Sequence, residues 1–121
     1  MQRKKITVVE DDQHIRDVID ILLTSENYDV TLCASAGEFR ASLSHLLPDL
    51  FILDMMLPDG NGIDLCQELR ADIATVSIPI LVMSANVHAL KALECGADLF
   101  LQKPFDIQIF VQHVKELLGS S

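Results

Sequence analysis

Short apolar runs alternate along this chain with stretches whose apolar residues recur every three or four positions. The runs are Ile6–Val9, Asp29–Cys33, Leu50–Leu53, Pro79–Met83 and Asp98–Leu101. Runs of this length, rich in β-branched and aliphatic residues and bounded by Pro, Gly, Asn or Asp, read as buried strands. Between them Ile15, Val18, Ile19, Leu22 and Leu23 share one helical face, as do Ile63, Leu65, Cys66 and Leu69. Phe39, Leu43, Leu46 and Leu47 predict a second helix running to Pro48. Val87, Leu90, Ala92 and Leu93 predict a short fourth one, and Ile107, Phe110, Val111, Val114, Leu117 and Leu118 a last one. Strict alternation of this kind predicts an α/β domain with a parallel sheet and helices on both faces. Strands covered on both sides are apolar nearly throughout, as these are.

Local signals agree. Asp12 suits an N-cap for the first helix, Asn27 suits its end, and Gly96 suits a helix C′ position. With 121 residues, 50% of them hydrophobic, the chain can bury one real core. A single domain over residues 1–121 is expected, with no effector domain in this chain.

The net charge of −9 argues against nucleic-acid binding by this domain and fits an acidic protein or one that collects a cation. Cys33, Cys66 and Cys95 lack a C-x-x-C pair and read as free, buried thiols of a reducing compartment. His14, His45, His88 and His113 have no ligand-type spacing. There is no apolar run of transmembrane length and no signal-peptide core, so a cytoplasmic location is expected.

Chemistry-bearing residues gather at the carboxyl ends of the predicted strands. Glu10 and Asp11 follow the first, Asp54 ends the third, Ser84 ends the fourth and Lys103 follows the fifth. Alone, each reads as a cap or turn residue. In a doubly wound sheet these ends share one edge, where open α/β sheets bind ligands. Converging carboxylates repel one another and resist desolvation, and a hard divalent cation with oxygen ligands relieves both. Mg²⁺ fits best, or Mn²⁺ in its place. Cation, ammonium, hydroxyl and a carboxylate nucleophile together make a phosphoryl-transfer site, with Asp54 attacking phosphorus to form an acyl phosphate.

Taken in order, Val8-Val9-Glu10-Asp11-Asp12, Leu53-Asp54-Met55-Met56-Leu57-Pro58-Asp59-Gly60-Asn61-Gly62, Met83-Ser84-Ala85, Gly96-Ala97-Asp98 and Lys103-Pro104-Phe105 resemble the receiver domain of two-component response regulators. The resemblance covers almost the whole chain. It implies a flavodoxin-like (βα)5 fold with strand order 2-1-3-4-5. It makes Asp54 the phosphoacceptor and implies Mg²⁺ on Glu10, Asp11, Asp54 and the Met56 backbone carbonyl, with Asp11 direct and Glu10 through water. Ser84 and Lys103 would bond the phosphoryl group, and the Lys103–Pro104 peptide would be cis. Such a domain catalyses its own phosphorylation and dephosphorylation rather than turning over a free substrate.

The implied partner is a sensor histidine kinase or phosphotransfer protein carrying phosphohistidine. The implied switch works through Ser84 and Phe100. It alters the surface of the fourth helix, fifth strand and last helix, which meets an effector or a second receiver. Phe100 lacks a phenolic hydroxyl and would act by packing alone. The stretch from Ser84 to Gly96 is shorter than the family pattern. Met56 and Asn86 occupy positions that tune phosphate loss in the family; only Asn86 can hydrogen-bond through its side chain. An unphosphorylated receiver-like scaffold is one alternative. An aspartyl-nucleophile phosphohydrolase is another, disfavoured because Met56 stands where its second acid is needed. A flavin module would want a phosphate-cradling loop where Glu10-Asp11-Asp12 stands.

Overall fold

The computed structural model describes residues 3–85 and 94–119. Its main sheet holds β1 (Lys5–Val9), β2 (Asp29–Cys33), β3 (Leu50–Asp54), β4 (Ile80–Ser84) and β5 (Leu99–Gln102). All neighbours pair in parallel, in the spatial order β2-β1-β3-β4-β5. This is the expected doubly wound, flavodoxin-like arrangement. Four helices are described: α1 (Gln13–Ser25), α2 (Ala36–Ser42), α3 (Gly62–Ala71) and α4 (Ile107–Leu118). The fourth helix expected from the sequence, around Val87–Leu93, lies outside the described residues, as do Asn86 and His88.

Strand alternation divides the core into two layers. Val9, Cys33, Phe51, Leu53, Ile80 and Val82 pack with Phe39 of α2 and with Leu65, Cys66 and Leu69 of α3. Ile6, Val8, Leu50, Ile52, Leu81 and Met83 pack with Ile19 and Leu23 of α1 and with Phe110 and Val114 of α4. The central strand β3 sends Leu50 and Ile52 one way and Phe51 and Leu53 the other, all four fully buried. Each such side chain contributes about 1.5–3 kcal/mol of gross burial energy. That rigid middle strand fixes where Asp54 ends up. The three cysteines are buried free thiols, as expected.

Helix ends follow local chemistry. Asp12 caps α1 by accepting the Ile15 N–H at 3.1 Å, and Asn27 beyond its end takes φ 66°. Asn61 caps α3 through the Asp64 N–H, and Asp106 caps α4 through those of Gln108 and Ile109.

The second helix departs from the reading by periodicity: it stops at Ser42 instead of reaching Pro48. Ser42 and Ser44 turn their hydroxyls onto the carbonyls of Phe39 and Ala41, and the N–H groups of Leu43, Ser44 and His45 bond three residues back instead of four. Hydroxyls competing for backbone partners tighten the last turn and end the helix. Leu46, placed on its apolar face by spacing, is 72% exposed. A small antiparallel ladder between Met56–Leu57 and Gly60–Asn61, not foreseen, folds the segment after Asp54 into a hairpin turning at Pro58-Asp59.

Candidate functional site

Register carries the reactive groups to one edge. Val9 of β1 pairs with Leu53 of β3, and Leu53 with Val82 of β4. The residues one step beyond Val9 and Leu53 are Glu10 and Asp54, so two carboxylates meet at adjacent strand ends. Asp11 follows Glu10, and carboxylate oxygens of Glu10, Asp11 and Asp54 lie within 4.8 Å of one another. Ser84, fully buried, closes β4. It is paired in register with Gln102, and its carbonyl accepts the Lys103 N–H at 2.8 Å. The Lys103–Pro104 peptide is cis.

The Lys103 ammonium is the hub of the cluster. It donates to Asp54 Oδ2 at 3.1 Å and to Glu10 Oε1. Glu10 is fully buried and Asp54 is 4% exposed, so leaving either carboxylate without a partner would be costly. Burial pushes the Glu10 carboxyl up to about 7; the Lys103 hydrogen bond pulls it down, and neighbouring Asp54 raises it further. Burial opposes the Lys103 charge, yet Glu10 and Asp54 outweigh that and hold its pKa above the usual lysine value. Two buried carboxylates thus share one ammonium, with the Asp11 carboxylate close by. The surplus of oxygen donors and negative charge fits a hard divalent cation.

The structure brings Glu10, Asp11, Asp54 and the Lys103 ammonium together at one sheet edge, with Ser84 at the adjoining strand end. Met56 is 68% exposed, with its N–H on Asp54 Oδ1 at 3.3 Å, so its main chain stays against the acid while its side chain faces solvent. Phe100 stands apart, half-buried on edge strand β5 beside Val82 and packed on the α2–α3 side of the sheet.

Supporting groups were missed by sequence reasoning. The Arg16 guanidinium donates to the carbonyls of Glu10 at 2.8 Å and Asp11 at 3.0 Å, pinning the acidic turn from the first turn of α1. The Asp12 N–H donates to Glu10 Oε2 at 3.1 Å. Asp59 accepts the N–H groups of Ala36 and Gly37 at 2.8 and 2.9 Å. Arg16 had a readable signal: a cation one helical turn beyond an acidic strand end. Asp59 had none beyond its place in a turn.

Known proteins show the same plan. Residues 6–115 match the family model of the response regulator receiver domain. The DNA-binding response regulator MtrA of Mycolicibacterium smegmatis is 36% identical over 119 residues, covering 96% of this chain and 51% of that protein. The chain spans about half the length of the curated relatives it matches. A response regulator structure from Chloroflexus aurantiacus superposes with a TM-score of 0.92 at 30% identity, covering 97% of this chain and 98% of that one. The receiver domain of sensor histidine kinase PA1611 from Pseudomonas aeruginosa superposes at 0.88 with 28% identity, covering 98% of this chain and 100% of that one. In that structure a magnesium ion is coordinated in the active-site cleft.

Proposed function

This chain belongs to the response regulator receiver domain family, and from that premise we propose that Asp54 accepts a phosphoryl group from phosphohistidine on a partner kinase or phosphotransfer protein. The gathering of the Glu10, Asp11 and Asp54 carboxylates, two of them bonded to the Lys103 ammonium, carries this reading. An Asp54 carboxylate oxygen forms the new bond to phosphorus as the phosphorus–nitrogen bond to the donor imidazole breaks, leaving its electron pair on that imidazole. Glu10, Asp11, Asp54 and the Met56 carbonyl would hold Mg²⁺ or Mn²⁺, which would neutralise charge on the transferring oxygens. Lys103, already on Asp54, supplies a further positive charge, and Ser84 offers its hydroxyl to a phosphoryl oxygen.

The added dianion-like group biases a two-state element, with Ser84 drawn towards the phosphoryl group and Phe100 repacking on β5. The altered face of the fourth helix expected from the sequence, of β5 and of the last helix α4 then governs a downstream partner. MtrA is a DNA-binding response regulator, which makes control of DNA binding the favoured output. The net charge of −9 argues against nucleic-acid binding by these residues themselves. Among the described residues no helix is long and apolar enough to cross a membrane.

Intact mass spectrometry after incubation with acetyl phosphate tests the reading. The expected result is a phosphate adduct that needs Mg²⁺ and is absent in Asp54→Asn. An adduct that persists in Asp54→Asn overturns the assignment of Asp54; no adduct with any small donor or phosphohistidine protein turns the reading towards an unphosphorylated scaffold.

A further inference from the structure

We propose that Asp59 is a positioning residue for the cation site, acting through the hairpin that carries Met56; this rests on the site reading above. The hairpin is exposed and weakly built. Its ladder has only the pairs Met56–Asn61 and Leu57–Gly60, too few to hold a hairpin in water without outside support. Its base is tied where the Gly62 N–H donates to the Met55 carbonyl at 3.0 Å. Its tip is tied by Asp59, whose carboxylate grips α2 with both oxygens. Oδ1 accepts from Ala36 at 2.8 Å and Oδ2 from Gly37 at 2.9 Å.

Those two N–H groups belong to the first turn of α2, where intrahelical acceptors are lacking and a negative charge is favoured. The same bonds hold the Asp59 carboxyl below the usual carboxylate range. Helix α2 is itself fixed, with Ala36 and Phe39 buried in the core. The side chain of Asp59 thus joins a rigid element to the loop that offers the Met56 carbonyl. Leu57 is packed against the same core layer and Gly60 lies against Ala36, so the hairpin has a seat to be held in. Releasing the tip lets the Met56 carbonyl wander and weakens the cation without touching a carboxylate ligand.

Calorimetric Mg²⁺ binding and the Mg²⁺ dependence of acetyl-phosphate labelling test this on the full chain. In Asp59→Ala, half-saturation needs about tenfold more Mg²⁺, while labelling at saturating Mg²⁺ returns to the wild-type rate. Asp59→Asn keeps one strong acceptor and falls between. Unchanged Mg²⁺ affinity in folded Asp59→Ala, or in Asp59→Asn should Asp59→Ala not fold, overturns the proposal. So does a lost labelling rate that no Mg²⁺ concentration restores. A wild-type chain that takes up no Mg²⁺ removes the site reading itself, and the role of Asp59 with it.

Discussion

Gly62 approaches the main chain of Asp54 so closely that a Cβ on it would sit 2.4 Å from the Asp54 carbonyl oxygen. The first residue of α3 and the last of β3 therefore touch backbone to backbone, which holds the loop between them closed. Gly62→Ala must push that carbonyl and the following Met55 main chain aside. A loss of about 1–3 kcal/mol in urea-induced unfolding is expected, together with slower acetyl-phosphate labelling. Full stability and full labelling in the variant would show that the contact relaxes without consequence.

Lys103 should affect cation binding and phosphorylation in opposite directions. Its ammonium bonds both Glu10 and Asp54 and so would compete with a cation for the same carboxylates. Lys103→Met removes a repelling charge, and Mg²⁺ affinity rises on the order of tenfold. Labelling at saturating Mg²⁺ falls about a hundredfold or more, as when one preorganised charge is removed from a transferring oxygen. Calorimetry and intact mass read the two effects separately. A variant that loses both affinity and labelling together contradicts the competition.

The Glu10 carboxyl, raised from 4.5 to about 7 mainly by burial, makes stability depend on pH. The folded state holds this proton more tightly than the unfolded chain does, so folding takes one up between those values. The resulting stabilisation is full below pH 4.5 and lost as pH rises through 7. Metal-free protein should therefore melt higher at pH 6 than at pH 8, by a margin that shrinks in Glu10→Gln. Mg²⁺ competes with that proton, so its affinity falls by up to about tenfold per pH unit below neutrality. Melting curves with and without Mg²⁺ at both values check the two signs. A Mg²⁺ increment that grows on acidification is incompatible with this assignment.

The sheet order and the cluster of Glu10, Asp11, Asp54, Ser84 and Lys103 were legible because both rest on period and position. Apolar runs alternating with helical spacing specify parallel pairing, and parallel pairing aligns strand ends. The early end of α2 was not legible by period. Leu43, Leu46 and Leu47 keep the helical spacing, but the hydroxyls of Ser42 and Ser44 take backbone carbonyls and stop it. Asp59 was hidden for a different reason. Its partners, Ala36 and Gly37, are more than twenty residues away, and only the fold brings a turn carboxylate to a helix end. Pairwise contacts at long range leave no periodic trace in a single chain.

Arg70 is a second long-range tie, at the opposite end of the sheet from the site. From α3 its Nε donates to the Gly96 carbonyl at 2.8 Å, Nη1 to those of Val76 and Ile78, and Nη2 to Asp98 Oδ2 at 2.8 Å. Asp98 Oδ2 also accepts the Ile80 N–H, so one guanidinium fastens α3 to the approaches of both β4 and β5. Gly96, at φ 100°, lies under the Arg70 stem, where a Cβ would come within 2.9 Å of Cγ. Arg70→Ala strips partners from several partly buried carbonyls and should cost about 2–4 kcal/mol. Arg70→Lys should recover little, because an ammonium cannot span the fork of acceptors. Since Asp98 and Ile80 stand at strand starts and Asp54 at a strand end, Mg²⁺ affinity measured well below the melting point should not change. Chemical denaturation and calorimetry on the two variants separate the claims. A lysine variant as stable as wild type would mean that charge alone, rather than the guanidinium's geometry, fastens these elements.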